Sequence, residues 1–227
     1  MTHAHHDYVA PTDPAVAANL RAWQDLKLGI IVHFGLYSEV GCVESWGMCP
    51  EPWVKVPGDD HAAFAREYRA AKARFNPKKL DAAQWARAFR DAGAGYVIFT
   101  AKHHDGFCLF DSAHTRFKTT DPGCPFHADP RADVFRQVAD ACRAEGLRFG
   151  AYFSKPDWDS PGFWGPGEVP VDRNPTYDVT GQPARWEGFV RFTHAQLDEL
   201  MTRYGRIDFL WLDGCCAGEQ DRDRKST

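Results

Sequence analysis

Tyr96-Val-Ile-Phe-Thr-Ala-Lys-His103 is apolar, β-branched or aromatic for most of its length and turns cationic or titratable only at its end. A strand covered on both faces reads this way, because no side is left to water and polar residues have no reason to alternate. Three other stretches share the form: Leu28-Gly-Ile-Ile-Val-His-Phe-Gly35, Leu147-Arg-Phe-Gly-Ala-Tyr-Phe-Ser154 and Ile207-Asp-Phe-Leu-Trp-Leu-Asp-Gly214. Amphipathic segments lie between them. Residues 81–92 place Trp85, Ala88, Phe89 and Ala92 on one stripe before Gly93, and residues 131–145 do the same with Val134, Phe135, Val138 and Cys142 before Gly146. Residues 185–204 carry Trp186, Phe189, Val190, Leu197, Leu200 and Met201 before Gly205. Helix, terminal glycine, strand is the punctuation of α/β units. Residues 14–27 read as a further helix, and residues 60–75 as a candidate short helix.

Four such units predict a parallel sheet with right-handed crossovers. Polar residues gather where each strand ends: His33; Lys102 with His103 and His104; Ser154; and Asp213. Both a (β/α) barrel and a doubly wound sheet place reactive groups there. No Gly-x-Gly-x-x-Gly follows the first strand and no phosphate loop occurs, which argues against nucleotide chemistry. Two long connections, residues 36–80 and 155–184, are rich in Trp, Pro and Gly. Aromatic loops over a polar pocket suit sugars, whose C–H faces stack on indole while their hydroxyls need fixed polar groups.

The 227 residues fit one ordinary domain, and eight Trp with sixteen Phe supply a real core. With a net charge of −4 and no basic stripe, nucleic acid is excluded as a partner. The apolar runs are too short to span a bilayer. The N-terminus lacks the apolar stretch of a signal peptide, so a cytoplasmic protein is expected. Seven cysteines at 42, 49, 108, 124, 142, 215 and 216, with no Cys-x-x-Cys pair, read as reduced and mostly buried thiols.

The chemistry concentrates in Lys102-His103-His104-Asp105-Gly106-Phe107. Adjacent histidines point to opposite sides of an extended chain, or both into a pocket where the chain turns, and Asp105-Gly106 supplies a turn. Three readings stay open: a metal site of His33, His103, His104 and Asp213, a ring of neutral imidazoles for substrate hydroxyls, or structural histidines. Asp213, ending an apolar strand before Gly214, reads as nucleophile, general base, metal ligand or simply a turn residue.

Taken together, His33-Phe-Gly-Leu-Tyr37, the 96–107 segment, Gly150-Ala-Tyr-Phe-Ser154 and Tyr204-Gly-Arg-Ile-Asp-Phe-Leu-Trp-Leu-Asp-Gly214 resemble glycoside hydrolase family 29, the α-L-fucosidases. The resemblance implies a TIM-like (β/α) barrel and a retaining mechanism that needs no cofactor or metal. It implies fucosylated glycans or aryl fucosides as substrates, and Asp213 as the nucleophile. It also implies that His33, Glu44, Trp46, His103, His104, Tyr152 and Trp211 bind the sugar, with Glu51 competing for the role of Glu44.

Four strands make half of such a barrel, so the expected fold is a partial barrel completed by oligomerisation. The expected domain plan is a flexible segment 1–13, a truncated barrel 14–214 and a polar tail 215–227. An open sheet exposes edges and an apolar face, which predicts a homodimer or larger homo-oligomer. The family's acid/base lies on a later barrel loop, leaving Glu44, Glu51, Glu168 and Glu219 as candidates. Without a proper acid, the chain becomes a weak or inactive fucose-binding remnant.

Overall fold

The computed structural model describes residues 9–214. The expected tail 215–227, with Glu219, Cys215 and Cys216, lies outside the described residues, as does most of the segment 1–13.

Four parallel strands form one sheet in chain order: β1 (Gly29–Val32), β2 (Tyr96–Lys102), β3 (Arg148–Ser154) and β4 (Phe209–Asp213). The helices are α1 (Pro14–Gln24), α2 (Leu36–Val40), α3 (His61–Ala70), α4 (Ala82–Asp91), α5 (Val134–Ala144) and α6 (Pro183–Arg203). Asp13, Asp60, Asp81 and Asp133 cap α1, α3, α4 and α5 through side-chain oxygens that accept from first-turn amides. Each cap satisfies donors that a helix start leaves orphaned, which is why these helices begin where they do.

The register sorts the strand residues into two faces. Val97, Phe99, Ala101, Phe149, Ala151 and Phe153 are fully buried on one face, beside the apolar stripe of α5. The other face carries Ile31, Ile98, Gly150, Tyr152, Phe209, Trp211 and Asp213 in register across the sheet. This second face is open at β4, where Trp211 is 51% exposed. On the helix side of the same strand Leu210 and Leu212 are exposed at 39% and 45%, so β4 presents apolar side chains in both directions. α1 likewise contributes no buried residue.

A bulge in β2 decides what enters the site. Thr100 pairs with Tyr152, but Lys102 pairs with Phe153, so the register slips by one residue between them. In a regular strand, period-two alternation would put Lys102 on the face of Thr100. The slip moves it to the helix face instead. There its Nζ, fully buried, meets Asp157 Oδ2 at 2.8 Å and lies over the Phe153 ring, with Phe192 of α6 beyond. The five described cysteines are all free, in keeping with reduced thiols.

Candidate functional site

Immediately after the bulge the strand ends. The Gly106 amide donates to the His103 carbonyl at 3.1 Å, and Gly106 takes φ 80°, a left-handed value that favours glycine. The chain therefore turns, and the two imidazoles lie edge to face with ring centroids 4.7 Å apart. Of the two geometries open from the sequence, the turned one is found.

His33 leaves the end of β1 and packs edge-on to His103 at 5.5 Å and to Tyr152 at 4.7 Å. Tyr152, from β3, stacks on His103. The connection between α2 and α3 folds over these strand ends. Glu44 sits at φ 49°, in the left-handed region where a side chain is strained, and such strain persists only where surroundings hold it. They do: Trp46 Nε1 donates to Glu44 Oε2 at 2.9 Å, His103 Nε2 lies 3.3 Å from the same oxygen, and His33 Nε2 lies 3.8 Å from Oε1. The His103 bond, aided by His33 and Trp46 and opposed by burial, lowers the Glu44 pKa to about 2. Burial is the main cause that lowers the pKa of His33.

Asp213 stands at the end of β4. Tyr152 Oη donates to its Oδ2 at 2.5 Å, and the Gly214 amide donates to Oδ1 at 2.7 Å. His104 Nε2 is 3.6 Å from Oδ2. The His104 imidazole, then the Tyr152 hydroxyl and the Gly214 amide, hold this carboxylate well below the usual range, although burial opposes them. The result is a half-exposed anion with fixed oxygens, the state a nucleophile or an electrostatic stabiliser requires.

Not every sequence candidate joins this cluster. Trp211 shares the open face with Asp213, one step lower on β4 and beside Tyr152 in register. Glu51 pairs with Arg173 at 2.6 Å, and the Arg173 guanidinium lies over the Trp46 ring. Glu168 is gripped by Arg185, which lowers its pKa to about 2. The four-residue metal set splits in two: His104 turns to Asp213, while His33, Glu44 and His103 bring ligand atoms within 4.8 Å of one another.

The structure also adds residues. Ser45 Oγ is 2.5 Å from His103 Nδ1, and Thr100 Oγ1 is 3.4 Å from His33 Nδ1. Trp158 stacks on His104 and on Trp164. The tryptophan-rich loop was the only sequence signal for any of these.

A family model, described as Alpha-L-fucosidase, matches residues 1–227. The chain belongs to the alpha-L-fucosidase family. It is 33% identical over 202 residues to the putative alpha-L-fucosidase 1 of Oryza sativa, covering 88% of this chain and 30% of that protein. It is 30% identical over 206 residues to the human plasma alpha-L-fucosidase, covering 87% of this chain and 40% of that one. Among solved structures it resembles a trapped covalent intermediate of an alpha-L-fucosidase from Bacteroides thetaiotaomicron, in complex with 2-fluoro-fucosyl fluoride. The TM-score is 0.67 and the identity 28%, over 92% of this chain and 43% of that one. The chain thus spans less than half of these fucosidases. No helix among the described residues is long and apolar enough to cross a membrane.

Proposed function

We propose that this chain carries the sugar-binding and nucleophile-bearing part of a retaining exo-α-L-fucosidase, acting on terminal α-L-fucosides through a glycosyl-enzyme on Asp213. The observation that carries the reading is the Asp213 carboxylate oriented by Tyr152, His104 and Gly214 beside a cluster of imidazoles. His33, His103, His104 and Glu44 hydrogen-bond the sugar hydroxyls, and Trp46, Tyr152 and Trp211 line its apolar side.

Retention needs a second carboxyl that is protonated when the glycosidic oxygen leaves, which calls for a raised pKa. Glu44 and Glu168, each lowered to about 2, lack that property. Glu51 is engaged with Arg173. None of the three described glutamate candidates fits the acid/base, which points to another segment or to a second copy. A second copy also suits the exposed apolar residues of β4, which a two-fold pairing of open sheets covers, making a homodimer the proposed assembly.

Hydrolysis of an aryl α-L-fucoside by wild type and by Asp213→Ala, beside light scattering, tests this. Turnover is expected in the wild type and a loss of at least about a thousandfold in the variant. Full activity in Asp213→Ala removes the nucleophile, and a stable monomer removes the assembly. The lack of a fitting acid among Glu44, Glu51 and Glu168 favours one second reading, a fucose-binding remnant, which predicts binding of L-fucose without turnover.

A further inference from the structure

Three ligand atoms from three separate segments converge over the open end of the sheet. His33 follows β1, His103 follows β2, and Glu44 comes from the loop after α2. His103 Nε2 is 3.3 Å from Glu44 Oε2, His33 Nε2 is 3.8 Å from Oε1, and all three residues offer donors within 4.8 Å of one another. Ligands held about 2.0–2.1 Å from a tetrahedral zinc ion stand roughly 3.3 Å apart. The closer pair already has that spacing, and the rest closes with side-chain shifts of about 1 Å or less.

The outer nitrogens of the two rings meet a second condition. A metal-binding imidazole is oriented by a hydrogen bond on its other nitrogen, which fixes the tautomer. His103 Nδ1 has Ser45 Oγ at 2.5 Å. His33 Nδ1 has Thr100 Oγ1 at 3.4 Å, and Thr100 spends its own proton on the Val32 carbonyl at 2.9 Å. Thr100 is thus an acceptor toward His33, which puts the proton on Nδ1 and turns the Nε2 lone pair to Glu44. The Trp46 indole anchors the carboxylate by donating to the same oxygen that faces His103. Two imidazoles and one carboxylate are a donor set for zinc-class ions rather than for magnesium or calcium.

We infer that His33, Glu44 and His103 form a binding site for a divalent zinc-class ion, and that the ion and a sugar compete for these side chains. The competition rests on the proposed sugar-binding role; the metal site does not. An ion there occupies the space the hydroxyls need, so it acts as an inhibitor and not as a cofactor.

The test is calorimetric titration with zinc chloride. His3, His5 and His6 are first replaced by alanine in the full chain, so that this histidine-rich run cannot contribute. Saturable one-to-one binding is expected, weakened at least about tenfold by His33→Ala and by the isosteric Glu44→Gln. Thermal unfolding without metal checks that each variant folds, and Glu44→Gln keeps the test sharp if His33→Ala does not. Cobalt loading should give ligand-field bands without a thiolate charge-transfer band. Added L-fucose should weaken zinc binding. Absence of saturable binding, indifference to both variants, or a thiolate band overturns the metal site. Fucose that binds without moving the zinc affinity overturns the competition alone, and fucose that does not bind at all overturns the sugar-binding role while the metal result stands.

Discussion

Replacing Lys102 by methionine tests how the register slip in β2 is anchored. In the wild type the ammonium and the Asp157 carboxylate are both buried and 2.8 Å apart. Asp157 Oδ1 separately accepts from the amides of Asp159 and Ser160 at 3.1 and 2.9 Å. Methionine fills the space beside Phe153 and Phe192 but leaves Oδ2 as an uncompensated buried charge. Removing one partner of such a pair costs about 3–5 kcal/mol. A domain of this kind is stable by about 5–15 kcal/mol in all, so the loss takes a large fraction. The double variant Lys102→Met/Asp157→Asn removes the stranded charge, while the asparagine amide oxygen still accepts from both backbone amides. It should recover most of the loss. Urea denaturation followed by tryptophan fluorescence measures all three proteins. A single-variant cost below about 1 kcal/mol, or a double variant no better than the single, refutes the account.

Other perturbations test the same geometry. Tyr152→Phe deletes a charge-assisted hydrogen bond to Asp213 worth about 1.5–3 kcal/mol, so aryl fucoside turnover should fall roughly 10- to 100-fold with folding retained. Steady-state kinetics beside circular dichroism reads it. Gly150→Ala would set a Cβ 2.8 Å from Phe209 Cβ and 2.9 Å from its carbonyl, prying β4 from β3. A loss of about 1–3 kcal/mol is expected, with faster hydrogen exchange along β4. Asp105 is fully buried, and burial raises its pKa from 3.8 to about 6. Its folded value exceeds the unfolded one, so its contribution is full below about pH 4 and is lost as pH rises through about 6, by up to about 3 kcal/mol. The difference between wild-type and Asp105→Asn stability across that window should show this slope, and a flat difference contradicts it.

The strands were legible because burial on both sides leaves an unbroken apolar run, and their ends because polar residues appear where the sheet stops. α4, α5 and α6 were legible from their stripes and terminal glycines. α2 escaped, since five residues span little more than one turn and carry no period. The slip at Thr100 and Lys102 left no trace in composition, because one extra residue changes the register and not the residue types. Nor could Ser45 and Thr100 be found: their imidazole partners lie 58 and 67 positions away in the chain. Glu44 and Glu51 looked equivalent in a shared loop. They part because His33, His103 and Trp46 hold Glu44 while Arg173, far along the chain, takes Glu51.

The slip in β2 also gives the strand one residue of slack in its length. A substitution there changes one side chain. Loss of a single codon at Ala101 would restore a regular ladder in which Lys102 follows Thr100 directly, still opposite Phe153 and still on the helix face. A one-residue gap at this point of an alignment therefore marks a lost bulge and not an exchange of Lys102 and His103 between the two faces.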